Sequence, residues 1–269
     1  EISLGLVGSE MCIRDSLFNN VNNFILVAIP LFVLLGVILA EGGLGERIYN
    51  FFDVLIRHIP GGVGMATILT CAVMAAMCGT SVAVAAMVGS FALVSLYRLG
   101  YKLPLTIGCV AGGGALGILI PPSVSMIVYG AIAQENVAKL FLAGFIPGLV
   151  ATGLFCAWVY FSAKRGGAKI RPKASRAEIL QGIKNGIGGI AIPVIILIML
   201  YTGVATPTEI AAIGCVLAFI ISLIYRTMPL KSMLKVLMRG LASAVMILFI
   251  ICLLYTSDAA DDGESVDLG

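Results

Sequence analysis

The chain has 269 residues, of which 60% are apolar and only 12% are charged. Soluble domains are usually about 45–50% apolar and about a quarter charged, so this composition excludes an ordinary soluble enzyme. Sixteen of the 17 basic residues, but only six of the 14 acidic ones, lie between residues 17 and 251. A basic surplus in the loops of a hydrophobic chain is typical of a protein oriented in a membrane, and it gives no indication of nucleic-acid binding.

Several apolar stretches are long enough to cross roughly 30 Å of hydrocarbon as helices. The sequence therefore predicts an all-α, polytopic membrane protein embedded in a lipid bilayer. A transmembrane barrel is the alternative, and it is disfavoured because the chain lacks the segments of about ten residues that alternate apolar and polar side chains.

Both ends of the chain differ from its hydrophobic middle. Residues 1–16 and 252–269 resemble translated sequencing adapters, and the second segment changes abruptly from apolar to acidic. We expect both segments to be foreign to the protein, with residues 17–251 forming a partial domain. A natural disordered tail is the alternative for the acidic end.

The first predicted elements are a span at residues 24–40 and an amphipathic helix at 44–58. The next apolar segment, 65–97, would be about 50 Å long as a single helix, too long for one crossing. Cys78-Gly79-Thr80-Ser81 interrupts it midway, so we predict two half-length helices in a re-entrant hairpin, with two thin spans as the alternative. Such a tip is tolerated only where protein or water surrounds it.

Residues 103–133 form a second overlong segment, which we predict to be a broken helix. The Gly112–Gly114 run is expected to interrupt it once. Pro121 and Pro122 are expected to interrupt it again, because Pro122 has no amide hydrogen and a residue before proline is disfavoured in helical backbone.

The remaining part of the chain is predicted to cross the membrane several times. Basic loops at 164–176 and 226–239 are separated by two spans, which places both loops in the cytoplasm. On this topology the hairpin enters from the cytoplasmic side and returns to it. The remaining predicted spans are residues 140–161, 187–203, 210–225 and 241–251.

The two interruptions could hold an ion. Transporters use unwound carbonyls and half-helix C-termini to coordinate Na⁺, and hydroxyls from Thr80, Ser81, Ser123 and Ser125 are further candidate oxygen ligands. No acid or histidine lies deep within a predicted span, whereas proton-coupled carriers usually need one. The sequence therefore favours Na⁺ over H⁺ as the coupling ion, and predicts neither a cofactor nor an enzyme active site.

Five motifs, read in order, resemble the large membrane subunit of tripartite ATP-independent periplasmic (TRAP) transporters. The resemblance covers about residues 17 to 250, a little over half of that subunit's usual length. It implies a bacterial inner-membrane, Na⁺-driven importer of small organic acids with an elevator-type transport domain. It also implies two partners, a small membrane subunit and a periplasmic substrate-binding protein. The motifs are LVAIPLFVLLGVILAEGGLGERIYNF, AMCGTSVAVAAMVGS, GILIPPSVSMIVYG, LFLAGFIPGLV and GVATPTEIAAIGCVLAFI.

The same resemblance assigns the candidate site. Gly79, Thr80 and Ser81 would form the tip of the hairpin. Many family members carry Asp where this chain has Val84, so the ion or the hairpin would be stabilised differently here. A second hairpin with its own ion site would lie outside this chain, which would not transport alone. The broken helix facing the tip, with one Na⁺ between them, would contain Gly113, Gly114, Pro121, Pro122 and Ser123.

Another function remains open at this point. Other Na⁺-coupled carriers built on two hairpin repeats, such as dicarboxylate symporters or antiporters, work without a binding protein. A gene for a binding protein beside this one would separate the two interpretations.

Overall fold

The computed structural model describes residues 27–166, 171–225 and 233–266, with side chains described as far as residue 251. Residues 1–16, predicted to be foreign, and the first three residues of the predicted span 24–40 lie outside these ranges. Within them every regular element is a helix. The helices are α1 (Ala28–Glu41), α2 (Leu44–Ile56), α3 (Gly62–Cys78), α4 (Ser81–Arg98), α5 (Leu103–Leu119), α6 (Val124–Ile132), α7 (Val137–Gly166), α8 (Arg176–Thr202), α9 (Pro207–Ile224) and α10 (Met233–Val266).

Six segments are long and apolar enough to cross a membrane: α4, α5 with α6, α7, α8, α9 and the part of α10 up to Ile251. The pair α1 and α2 would be a seventh, although the two helices are bent by 66° relative to each other. The prediction of an all-α, polytopic membrane protein is confirmed.

The ends of several elements differ from the predicted spans. The predicted spans 140–161, 187–203 and 210–225 correspond to α7, α8 and α9, and α8 begins earlier, at Arg176. The predicted span 241–251 is the middle of α10, which continues as helix through residues 252–266.

The predicted break at the Gly112–Gly114 run is wrong, because α5 continues through it. These glycines permit close packing instead: a Cβ at Gly113 would lie 2.7 Å from Sγ of Cys71, and one at Gly114 would lie 2.7 Å from Cβ of Ala85. Small residues at such contacts let membrane helices approach closely. The predicted break at the prolines is present, between the end of α5 and the start of α6.

The helices form two groups. In the first group α5 packs against α3, α4 and α7, and α6 packs against α7. In the second group α1 packs against α9 and α10, while α2 packs against α8. The groups meet mainly where α2 and α1 contact α3. The hairpin and the broken helix therefore belong to one group.

The short connections at the start of α8 and α9 are closed by capping boxes. Thr206 and Glu209, the ends of the sequence motif TPTE, cap each other's backbone at the start of α9, and Ser175 and Glu178 do the same for α8. Each box satisfies two helix N–H groups that would otherwise lack a partner.

Two ion pairs join the end of α2 to the start of α8 and to the segment just before it. Arg57 binds Glu178 at 2.6 Å, and Arg171 binds Asp53 at 2.8 Å. A third pair, Arg239 with Glu41, joins α10 to α1. The basic residues of all three pairs lie in or beside segments that the predicted topology assigns to the cytoplasm.

Candidate functional site

The tip of the hairpin is a two-residue reversal between α3 and α4. Gly79 has φ of +65°, a conformation that residues with a Cβ adopt only at a cost, and it ends α3 at Cys78. Thr80 is extended, and α4 begins at Ser81. The sequence signal for this turn was local, since glycine is the residue that most readily adopts positive φ.

The break between α5 and α6 is four residues long. α5 ends at Leu119, Ile120 and Ser123 have extended backbone, and α6 begins at Val124. The Pro121–Pro122 peptide bond is cis. Pro121, Pro122 and Ser123 are all buried, so the unwound backbone lies inside the protein rather than in contact with lipid.

The tip and the break touch each other. The amide of Val124 donates a hydrogen bond to the carbonyl oxygen of Gly79 at 3.0 Å. A Cβ at Gly79 would lie 3.0 Å from the carbonyl oxygen of Pro122 and 3.2 Å from the Val124 nitrogen. Glycine is thus required here twice, for its backbone angle and for the close approach. The tip therefore lies against the middle of the long apolar segment formed by α5 and α6.

Two glycines of α5 form the other side of this contact. A Cβ at Gly117 would lie 2.8 Å from the carbonyl carbon and oxygen of Thr80, and one at Gly114 would lie 3.3 Å from the oxygen of Ser81. Residues three apart share one face of a helix. The sequence analysis missed Gly117, although its spacing from Gly114 was a usable signal.

Oxygen atoms are left over where the tip meets the break. Ser123 is completely buried, and its hydroxyl has no hydrogen-bond partner in the part of the chain that the structure describes. Buried polar groups normally have such a partner. Neither Ser123 nor Thr80 caps the following helix with its side chain. Because α3 and α5 both end here, their C-terminal carbonyls add partial negative charge.

The structure brings most of the predicted site residues together. Gly79, Thr80, Ser81 and Gly114 meet the break or the helix leading into it, whereas Gly113 packs against Cys71 in the body of α3. Val84 is 0% exposed in the first turn of α4. The remaining predicted residues, all buried in the break, are Pro121, Pro122 and Ser123.

A cavity of about 790 Å³ adjoins the tip, between α1, α4 and α10. Thr80 and Val82 line it from the hairpin, and Met246 lines it from α10. On the α1 side a Cβ at Gly36 would lie 3.1 Å from Cα of Cys78, so α1 packs directly on the end of α3. The first turn of α4 therefore borders a cavity between the two helix groups.

Comparison with known proteins identifies the family. Residues 6–255 match the model of the DctM component of the tripartite ATP-independent periplasmic transporter. The chain belongs to this TRAP transporter family. The TRAP resemblance inferred from the sequence is thereby confirmed, and the family consists of transporters rather than enzymes.

Several TRAP permeases of stated substrate are similar to this chain. The C4-dicarboxylate TRAP transporter large permease protein DctM of Pseudomonas aeruginosa is 37% identical over 260 residues, which are 93% of this chain and 61% of that protein. The sialic acid permease SiaT of Haemophilus influenzae is 32% identical over 91% of this chain and 40% of its own length. The 2,3-diketo-L-gulonate large permease YiaN of Escherichia coli is 32% identical over 88% of this chain and 56% of its own. The chain thus spans less than two thirds of these relatives.

Proposed function

We propose that this chain forms one half of the transport site of a Na⁺-coupled TRAP permease for small organic acids in the bacterial inner membrane. The observation that carries the proposal is the buried hydroxyl of Ser123, which has no hydrogen-bond partner among the described residues and lies beside the contact between Gly79 and Val124. Unwound backbone at membrane depth is costly unless its polar groups have a task.

The donor set favours Na⁺. The available ligands are neutral oxygens: the Ser123 hydroxyl, the hydroxyls of Thr80 and Ser81, and carbonyls at the ends of α3 and α5. No Asp, Glu or His lies in the tip or the break, so these residues contain no group that would bind and release a proton near neutral pH. The carbonyl ends of the two helices carry partial negative charge, which suits a cation.

Two observations support the substrate class: the start of α4 beside the cavity, and the substrates named for similar permeases. The first turn of α4 has no side-chain cap and borders the 790 Å³ cavity, and an uncapped helix N-terminus favours a carboxylate. The similar permeases of P. aeruginosa and H. influenzae carry C4-dicarboxylate and sialic acid in their names. We therefore infer a small organic acid, bound beside the Na⁺ site.

The two helix groups are candidates for the parts that move. The first group, α3 to α7, contains the whole tip and break, while the second group contacts it mainly through α2 and α1 against α3. We infer that the first group belongs to the moving domain of an elevator mechanism and that the second belongs to the scaffold. A small membrane subunit and a periplasmic binding protein complete the proposed transporter.

The proposed ion site can be tested on this chain itself, because the chain contains both parts of that site, the hairpin tip and the break between α5 and α6. Hydrogen exchange of the reconstituted protein is compared in NaCl and KCl, with Ser123→Ala as the variant. We expect slower exchange of the amides at 79–82 and of Ile120, Ser123 and Val124 in Na⁺, with no such difference in the variant. Peptides from the middle of α7 serve as an internal control. Equal exchange in the two salts would exclude the site.

Transport itself requires the complete permease. Proteoliposomes with the small subunit and the binding protein should take up a C4-dicarboxylate only under an inward Na⁺ gradient. Uptake that persists without the binding protein would favour the alternative, a two-hairpin carrier that works alone. Ser81→Ala and bulky substitutions at Gly79 or Gly114 should weaken apparent Na⁺ affinity more than they reduce expression.

A further inference from the structure

A second pocket lies away from the hairpin tip, between the start of α5 and the end of α7. Its volume is about 560 Å³, within the roughly 300–1,000 Å³ that is usual for small-molecule sites. Much of its wall is apolar or aromatic, with Leu105 from α5 and Phe155, Trp158 and Val159 from α7. The proposed Na⁺ and substrate site does not include any of these residues.

Two cations line the same pocket. Lys102 precedes the first turn of α5, and Arg165 lies in the last turn of α7. Both side chains are exposed, and neither forms an ion pair with another residue in the ranges that the structure describes. None of the described residues that line the pocket is an Asp or Glu. The pocket therefore combines an apolar cleft with two positive charges that the surrounding residues leave unneutralised.

The position of the pocket along the membrane normal follows from α7. Arg165 belongs to the basic end of this helix, which the loop charges place on the cytoplasmic side. Trp158 is seven residues earlier, which places it about 10 Å deeper along the helix. Its side chain is 69% exposed. Trp is enriched at the boundary between headgroups and acyl chains. The cations thus lie at headgroup level and the aromatic wall lies at the level of the upper acyl chain.

We propose that this pocket binds an anionic phospholipid of the cytoplasmic leaflet. Lys102 and Arg165 hold its phosphate, and one acyl chain lies against Phe155 and Trp158. Basic pockets between membrane helices on the cytoplasmic side recognise anionic headgroups. A zwitterionic lipid would bring its own amine beside two cations, and a soluble anion would leave the apolar wall without a partner.

The chain contains its own reporter for this site, because Trp158 is its only tryptophan. The protein is reconstituted in phosphatidylcholine vesicles that contain a small, fixed fraction of lipid brominated on its acyl chains. Bromine quenches tryptophan fluorescence on contact. We expect the apparent association constant for brominated phosphatidylglycerol, measured by the quenching of Trp158, to be roughly tenfold larger than that for brominated phosphatidylcholine. The reason is that two cations contribute to binding of the anionic lipid. Equal quenching by the two lipids would overturn the proposal.

Two double variants separate the pocket from general surface charge. Lys102→Gln with Arg165→Gln removes both pocket cations, while Arg98→Gln with Lys164→Gln removes two cations that do not line the pocket. We expect the first variant to lose the preference for phosphatidylglycerol and the second to keep it. Equal loss in both would mean surface attraction only and would contradict a specific site.

Two further arms keep the result interpretable. Far-UV circular dichroism checks that the variants remain helical, and Arg165→Gln alone replaces the pocket variant if the double variant does not fold; it should still reduce the preference severalfold. Inorganic phosphate at millimolar concentration should leave the preference unchanged. If phosphate abolishes it, the cations bind a soluble anion and the lipid proposal is wrong.

Discussion

The amide of Val124 donates a hydrogen bond to the carbonyl oxygen of Gly79, so the first residue of α6 is bound to the residue that reverses the hairpin. Helix ends leave N–H and C=O groups without an intrahelical partner. Here the break between α5 and α6 supplies the donor, and the tip of the hairpin supplies the acceptor. Two interruptions that would each be costly alone therefore stabilise each other inside the fold.

Gly79→Ala should destabilise the protein more than Gly203→Ala does. Both glycines have similar positive φ, +65° and +66°, but a Cβ at Gly203 would have no atom within 4 Å. Each substitution should lower the free energy of unfolding by about 1–2 kcal/mol, because alanine is disfavoured in this backbone conformation. Only Gly79→Ala also pushes against Pro122 and Val124. Thermal unfolding in detergent measures the difference, and equal losses would show that the close approach does not matter.

Gly117→Ala should destabilise the protein, whereas Gly112→Ala on the same helix should not. Alanine in a helix is favoured over glycine by about 1 kcal/mol. At Gly112 the nearest neighbour of a Cβ would be Phe155 at 3.8 Å, an ordinary contact. At Gly117 the Cβ would meet the backbone of Thr80 at 2.8 Å, which we expect to cost about 1–3 kcal/mol. Chemical or thermal unfolding of the pair is the measurement, and a stabilised Gly117→Ala protein would contradict the packing.

Ser123→Ala should separate stability from ion binding. Without Na⁺ the variant should be as stable as the native protein or more stable, because it removes a buried hydroxyl that lacks a partner within the described ranges. With Na⁺ the native protein should gain stability and the variant should gain much less. Melting temperatures across a NaCl titration, with KCl as the reference, measure this.

The control for Ser123→Ala is Thr152→Val. The Thr152 hydroxyl is also buried, but it bonds to the carbonyl of Gly148 within α7. This variant should keep the full response to Na⁺. If Ser123→Ala keeps it as well, the hydroxyl is not an ion ligand.

Arg171→Gln should lower the free energy of unfolding by about 1–3 kcal/mol, since it leaves the carboxylate of Asp53 without the arginine that binds it. The Asp53 side chain is only 10% exposed. Adding Asp53→Asn to Arg171→Gln should recover part of the loss, because the buried charge is then removed. Arg176→Gln, at the exposed start of α8, is the control and should change stability by less than about 0.5 kcal/mol. Identical unfolding curves for Arg171→Gln and Arg176→Gln would show that the pair contributes nothing.

The sequence determined the positions of the breaks in the backbone. Pro122 lacks an amide hydrogen and Gly79 readily adopts positive φ, and these are properties of single residues that act whatever surrounds them. The approximate places of the apolar helices were likewise readable, because apolar length is a local quantity. The motifs then sufficed to indicate the TRAP family.

Only the tertiary structure decided what the other residues do. The Gly112–Gly114 run looked like a break, yet it stays helical, and Gly113 and Gly114 instead let Cys71 and Ala85 pack closely against the helix. The role of Gly117 and the isolation of the Ser123 hydroxyl depend on which helix lies opposite. Sequence patterns fix the conformation of a segment through its own backbone, but the close approach of two distant segments is set by packing across the whole fold.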